Sequence, residues 1–275
     1  MLDGVILLWF VLTAMAFLFV AIDIRTTPES PVLKWGFVLV TAYTGVFGAF
    51  LYVLGCREPL PGLHEQYTAA RWRQTLGSTM HCVAGDGVGI LVGAALAGTL
   101  HLSGWWEVAL EYVLGFGFGW TIFQALFMRD MVGGSYWRSL SSTFIPELLS
   151  MNLLMAGMVP TMMLLKMHLG GASPASPVFW FVMSMALLVG AILAYPMNWW
   201  LVSYHLKHGM MTVRAAPMAG HEHTMQGAMP ATPPPQPSMK MDEAPTPHPS
   251  IPVMTLLSFV ALAAGIAIAW LSGSM

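Results

Sequence analysis

Long apolar stretches recur along this chain, and their length is the feature that most restricts its fold. A helix needs about 20 apolar residues to cross the hydrocarbon core of a bilayer. Because 56% of the residues are apolar and only 9% are charged, the composition is typical of a multi-pass membrane protein. We predict an all-α fold, a polytopic helical membrane bundle of about seven transmembrane helices, with an even number as the alternative. The predicted spans are residues 4–22, 34–55, 81–102, 106–127, 146–168, 178–202 and 252–272.

These spans divide the chain into four predicted parts. They are two N-terminal transmembrane helices (1–56), a core membrane domain of four helices (57–208), a linker (209–250) and a C-terminal transmembrane helix (251–275). The linker is rich in proline and has little apolar periodicity, so we expect it to be disordered. Its histidines and methionines, which include His221 and His223, favour loose capture of a metal ion over compositional drift.

Lysines and arginines cluster in the loops that follow the even-numbered spans. This bias predicts that the N-terminus lies inside. A net charge of −2 provides no basic surface for nucleic acid. The expected partners are the lipid bilayer and either a second copy of the chain or another subunit of a membrane complex.

The third span begins with a cluster of polar side chains. On a helix, His81, Cys82 and Asp86 share an arc of roughly 140° with glycines that repeat every four residues. Because glycines let a neighbouring backbone approach closely, we expect this face to point into the bundle. Ionisable residues at membrane depth mark pathways or sites by default. The alternative is that the glycines serve packing alone and that Asp86 only bonds a neighbouring helix.

A stripe of methionines follows an acid in the fifth span. Glu147, Met151, Met155, Met158 and Met162 fall within an arc of roughly 80°. Thioethers prefer soft cations such as Cu(I), so the stripe predicts relay ligands for copper. The alternative is packing, because methionine also fills gaps between helices, and Glu147 then only complements a helix dipole.

The sixth span ends in a second polar cluster. Met197 and His205 share a helical face there, next to Asn198, and we predict further relay ligands among them. A kink at Pro196 followed by an aromatic interfacial belt is the alternative interpretation.

Part of the sequence resembles a known family. The resemblance covers roughly residues 70–212 and rests on Trp72, Thr75, His81, Cys82, Gly85 and Gly89, on residues 127–131, and on a segment from Tyr195 to Met210. On these residues the chain is similar to DUF4396, a family of bacterial multi-pass membrane proteins defined as a domain of unknown function. The resemblance implies a shared membrane fold, a multi-pass position in the bacterial inner (cytoplasmic) membrane, and no established activity. Many relatives carry a second cysteine where this chain has Asp86, which weakens a thiolate-pair interpretation.

Together these patterns favour a membrane protein that binds or transports a soft transition-metal ion, foremost Cu(I), for metal homeostasis. His81, Cys82 and Asp86 are the predicted inner site. The alternatives are a non-transporting scaffold or assembly subunit of a membrane complex, and a proton-coupled carrier of a small solute with Asp86 and Glu147 as relays. The sequence has no nucleotide-binding glycine loop and no His-Glu-x-x-His zinc helix, so an enzyme is not favoured.

Overall fold

The chain folds as a bundle of helices. The computed structural model describes residues 2–129, 134–170, 173–210, 212–213 and 246–272. In these residues the helices are α1 (Leu2–Asp23), α2 (Pro31–Thr44), α3 (Val46–Gly55), α4 (His64–Thr68), α5 (Arg71–Thr99), α6 (Trp105–Phe118), α7 (Ala125–Arg129), α8 (Tyr136–Leu169), α9 (Pro177–Ser203) and α10 (Ile251–Leu271). A π-helical segment, Gly119–Gln124, joins α6 to α7 without a break.

The predicted all-α membrane bundle is confirmed. Among the described residues, six helices are long and apolar enough to cross a membrane: α1, α5, the joined helix α6 to α7, α8, α9 and α10. The chain is therefore a multi-pass membrane protein. Most of the predicted linker, residues 214–245 with His221 and His223, lies outside the described residues. Its expected disorder and metal capture therefore stay predictions.

The stretch that we expected as one span over residues 34–55 is instead a hairpin of two helices, α2 and α3. The chain turns at Gly45, whose φ of +61° and ψ of −132° suit a residue without a side chain. A Cβ on Gly48 would lie 2.7 Å from the Cα of Thr41, so α3 folds back directly against α2. Glu29 precedes the hairpin and Cys56 follows it, yet their ligand atoms lie within 4.8 Å of each other. The hairpin therefore enters and leaves by one end of the bundle.

This end of the bundle, which we call the basic face, collects nearly all the described cations. The Arg57 guanidinium pairs with Asp23 at 2.8 Å, so α1 and α3 end at the same face. Arg73 in the first turn of α5 donates to the carbonyl oxygen of Leu54 at 3.3 Å, so α5 begins there too. Lysines and arginines at this end are Arg25, Lys34, Arg57, Arg71, Arg73, Arg129, Arg138 and Lys207. In the described residues, Lys166 is the exception and lies at the opposite end of α8. Because the hairpin uses no crossing, α1 begins at the face opposite the basic one. Our prediction counted residues 34–55 as a crossing and therefore placed the N-terminus on the basic side.

Helix α5 lies close against α6 along its glycine face, as its spacing predicted. A Cβ on Gly85 would lie 2.9 Å from the Cα of Gly119, and one on Gly89 would overlap the carbonyl group of Leu114. The hairpin packs on another side of α5, where the Tyr43 hydroxyl donates to the carbonyl oxygen of Val83 at 2.7 Å. The middle of α5 is therefore enclosed by protein.

Candidate metal site

Two helices bring three potential ligands together near the basic face. Cys82 and Asp86 lie one turn apart on α5, and Glu147 faces them from α8; their ligand atoms lie within 4.8 Å of one another. The Cys82 thiol lies 3.4 Å from both Asp86 Oδ2 and Glu147 Oε2. Cys82 is 1% exposed, and both acids are fully buried. The sequence pattern placed Cys82 and Asp86 on one inward face, and the structure brings Glu147, which we predicted as a relay ligand, into the same cluster.

A lysine completes this cluster. Lys207 Nζ lies 2.9 Å from Glu147 Oε2 and 3.3 Å from Cys82 Sγ. It also donates to Ser150 Oγ at 2.8 Å and to Asn198 Oδ1 at 3.3 Å. Burial alone disfavours the charged ammonium, yet the neighbouring Cys82 and Glu147 keep the pKa of Lys207 above its usual value. The cluster therefore holds its own cation.

Sequence reasoning did not identify Lys207, because it treated this residue only as one of the basic loop residues. Helix α9 ends at Ser203, and Lys207 lies in the non-helical segment that follows. Helical periodicity therefore provides no face for this side chain. The signal that could have identified it is that it follows closely on Asn198, a polar residue of α9 that faces inward.

The π-helical segment covers the carboxylates from a third side. A Cβ on Gly119 would overlap Asp86 Oδ1 and would lie 2.7 Å from Glu147 Oε1. Neither oxygen accepts a hydrogen bond from a donor group of the described residues, and the two carboxyl groups can form a side-chain hydrogen bond with each other when one is protonated. Two carboxylate oxygens that could bind a cation therefore face Gly119, the residue of the π-helical segment that has no side chain. π-Helical turns are rare and frequently occur at functional sites.

His81 lies beside this cluster and not within it. Its side chain is 3% exposed, and its ring packs against Phe127 and Phe123 with centroid distances of 4.6 Å and 5.8 Å. Consecutive helical residues point about 100° apart, so His81 and Cys82 face different neighbours.

The methionine stripe begins at the cluster and runs into the bundle interior. Met151, Met155, Met158 and Met162 are all fully buried. A Cβ on Gly115 would lie 2.7 Å from Met151 Cε and 3.3 Å from the backbone oxygen of Asp86, so Met151 lies next to the cluster. The stripe therefore faces protein and not lipid.

The structure does not bring Met197 and His205 to the site. Met197 packs in a small apolar cluster with Leu149, Trp200 and Leu201. His205 is exposed, with a φ of +57° that belongs to the turn after α9. The helical face predicted for these two residues ends with the helix at Ser203. Asn198 is the residue of this segment that reaches the cluster, through Lys207 and Ser150.

Two cavities at the basic face lead to Lys207. One has a volume of about 330 Å³ and is lined by residues that include Gln124, Thr143 and His208. The other has a volume of about 220 Å³, and Gln74 is among the residues that line it. Lys207 lines both cavities and also pairs with the buried Glu147, so it separates the aqueous face from the cluster.

A second group of potential ligands joins the loops of the hairpin. Ligand atoms of Glu29, Cys56 and His64 lie within 4.8 Å of one another. His64 Nε2 lies 3.0 Å from the carbonyl oxygen of Cys56, and Nδ1 lies 2.8 Å from Thr212 Oγ1. Because both ring nitrogens of His64 already have hydrogen-bond partners, this group links the loops around the hairpin. It is therefore a weaker candidate for metal binding than the cluster at Cys82.

The fold and the cluster define a class: a polytopic α-helical membrane protein with a thiol, two carboxylates and a lysine buried in its interior. Residues 71–207, about half of the chain, match the family described as a domain of unknown function (DUF4396), and the chain belongs to this family. Cys82, Asp86, Glu147 and Lys207 all lie within the matched residues. No curated protein and no solved structure matches the chain.

Proposed function

We propose that this protein binds a soft transition-metal cation, foremost Cu(I), at Cys82, Asp86 and Glu147 and moves it along the methionine stripe. The observation that carries the proposal is the convergence of three buried ligand atoms within 4.8 Å. A thiolate is a soft ligand, and Met151 provides a thioether next to it. Thioethers bind weakly enough to exchange, which suits a path that must release its ion.

In this proposal, Lys207 is the cation that pairs with the site when no metal ion is bound. Two carboxylates in an apolar interior need a positive charge nearby, because an unpaired buried charge is costly. The ammonium provides that charge at Glu147 Oε2 and Cys82 Sγ, two of the atoms that a metal ion would use. A metal ion and Lys207 therefore compete for the same atoms, and binding requires the lysine to move.

The segment around Lys207 is suited to such a movement. Lys207 follows the end of α9 outside any helix, and the cavities of about 330 and 220 Å³ beside it provide space for its ammonium. Metal binding also requires Cys82 to lose its proton, because the thiolate is the ligand form. The carboxylates that contact the thiol provide a route for that proton toward the cavities beside Lys207. Once the proton has left the site, the negative thiolate offsets the charge of the arriving ion.

We further propose that the basic face is cytoplasmic and that the protein lies in a bacterial inner membrane. Support comes from the positive-inside rule. Of the lysines and arginines in the described chain, Lys166 alone lies at the opposite end. Ions would then enter or leave the cytoplasm through the cavities at Lys207.

Metal binding by the purified full-length protein tests the proposal. We expect the wild-type protein to compete with a chelator for Cu(I), and Cys82→Ser and Glu147→Gln to lose at least tenfold in affinity. Lys207→Met removes the competing ammonium, so it should bind Cu(I) more tightly and be stabilised by it. Met15→Leu, at a methionine that is 63% exposed on α1, serves as the control. Equal Cu(I) binding by the wild type and Cys82→Ser would contradict the proposal.

A proton-coupled carrier is the second candidate function. The observation that favours it is that Asp86 and Glu147 lie together in the interior, while one lysine pairs directly with Glu147. Paired ionisable residues in the interior of a membrane bundle are typical of proton relays. Proton release that accompanies a solute in the absence of any metal would favour this candidate over the first.

A further inference from the structure

A second group of buried charges lies at the other end of the bundle. The Lys166 ammonium of α8 forms an ion pair with Glu107 Oε1 of α6. Their side chains are 13% and 10% exposed, so the pair lies at the margin between water and the interior. Glu111 lies one turn further along α6 and is fully buried. We call Glu107, Glu111 and Lys166 the distal cluster.

Glu111 is the unusual member of this cluster. Neither of its carboxylate oxygens has a hydrogen-bond partner among the described residues. The charged groups that act on it are Lys166 from α8 and Glu107 from its own helix. Helix α5 contributes only close backbone, since a Cβ on Gly93 would lie 2.9 Å from the Cα of Glu111. Beyond Asp86, α5 carries no charged side chain up to its end.

The distal cluster is built like the first one. Each contains two carboxylates and one lysine that pairs with only one of them. Two helical rows connect the clusters. On α8 the methionine stripe starts one turn after Glu147 and ends one turn before Lys166. A row at spacings of four also runs along α6 from Glu107 through Glu111 to Gly115, and it continues to Gly119 of the π-helical segment, which covers the first cluster.

We propose that Glu111 is a proton-binding site that opens through Glu107 and Lys166 to the face opposite the basic one. The proton comes from water at that face, bonds to one carboxylate oxygen of Glu111 and leaves by the same route. A buried carboxyl without partners is costly in its charged form, and a single proton neutralises it. A metal ion fits less well, because no group of three close ligand atoms in the described residues includes Glu107 or Glu111.

The role of this proton rests on the proposed function. A cation that moves along the methionine stripe brings positive charge toward Glu111 and Lys166. Release of the proton from Glu111 to the aqueous face compensates that charge, and its return prepares the next cycle. The distal cluster thus makes metal movement dependent on pH at the face opposite the basic one.

Infrared spectroscopy of the full-length protein in lipid nanodiscs, without metal, tests the proton site directly. We expect a carbonyl stretching band of protonated carboxyl groups at neutral pH, part of which disappears in Glu111→Gln. Glu111→Asp, which keeps a carboxyl group, should retain that part. Glu65→Gln removes an exposed acid of α4 and should leave the band unchanged. An identical band in the wild type and Glu111→Gln would overturn the proposal.

Copper measurements separate this proposal from the function on which it rests. Glu111→Gln should bind Cu(I) as tightly as the wild type, while Cu(I) uptake into proteoliposomes loses its dependence on pH. If the band assigned to Glu111 is present but the wild type binds no Cu(I), the proposed function fails and the proton site stands. If Cu(I) binding is intact and uptake by Glu111→Gln keeps the wild-type pH profile, the proton site has no role in transport and that part of the inference is wrong.

Discussion

Lys207 Nζ lies 2.9 Å from Glu147 Oε2, and the two side chains are only 4% and 0% exposed. One comes from a segment outside any helix and the other from the first third of α8, so a fully buried ion pair joins a loop to a membrane helix. An exposed pair contributes little to stability, but removal of one partner from a buried pair leaves an uncompensated charge.

Lys207→Met should therefore destabilise the metal-free protein by about 3–5 kcal/mol, because it leaves Glu147 charged and unpaired in the interior. The double variant Lys207→Met, Glu147→Gln removes both charges and should recover most of that loss. Arg57→Ala breaks the exposed pair with Asp23 and should cost under about 1 kcal/mol. Unfolding in detergent measures all three. A Lys207→Met protein as stable as the wild type would show that the pair is not maintained in the membrane.

Gly119→Ala tests the space beside the carboxylates. A Cβ at this position would overlap Asp86 Oδ1, so we expect the carboxylate to move and Cu(I) affinity to fall at least tenfold. Overpacking of this kind costs about 1–3 kcal/mol. Gly117→Ala is the matched control, because no atom lies within 4 Å of its Cβ. If both variants bind Cu(I) like the wild type, the free oxygens of Asp86 and Glu147 do not hold the ion.

Replacement of Met151, Met155 and Met158 together by leucine separates conduction from packing. Leucine is similar to methionine in volume and hydrophobicity, so folding should survive at a cost under about 1.5 kcal/mol per site. Copper transport should fall, since the soft thioethers are gone. Met15→Leu and Met167→Leu, at side chains that are 63% and 48% exposed, form the control. Unchanged copper tolerance and cellular copper content in the triple variant would leave packing as the explanation of the stripe.

The hairpin predicts which loops share a side of the membrane. Thr26→Cys and Leu60→Cys flank α2 and α3 at exposed positions, and both should react with an impermeant maleimide from the basic face. Ser103→Cys and Ser173→Cys, in exposed loops at the other end, should react from the opposite side. The native Cys56 and Cys82 are buried and should give little background. Labelling of Thr26→Cys and Leu60→Cys from different sides would show that residues 34–55 cross the membrane as one span and do not form a hairpin.

The sequence predicted most of what depends on helical periodicity. The spacing of Cys82 and Asp86 among glycines indicated an inward face, and the stripe that begins at Glu147 indicated the interior side of α8. Periodicity failed where helices end. Lys207 and His205 lie beyond Ser203, where α9 ends, so helical spacings of three and four residues do not predict the direction of their side chains.

The hairpin was missed for a different reason. Hydropathy measures how apolar a stretch is, and residues 34–55 are apolar in either arrangement. The turn depends on one backbone conformation at Gly45 and on the close contact at Gly48. The distal cluster was missed because Glu107 and Glu111 lie on α6 while Lys166 lies on α8, and a single sequence does not indicate which helices meet.

The hairpin also affects how the chain is made. A translocation channel that sorts segments by hydrophobicity would treat residues 34–55 as one crossing, and every later helix would then be inserted with inverted orientation. The native arrangement requires that α2 and α3 return to the face from which they came before or while α5 is placed. The strong excess of cations that α5, α8 and the end of α9 carry at the basic face favours that outcome. During biosynthesis the basic loops therefore favour the native orientation of the later helices, although residues 34–55 are apolar enough to be inserted as a full crossing.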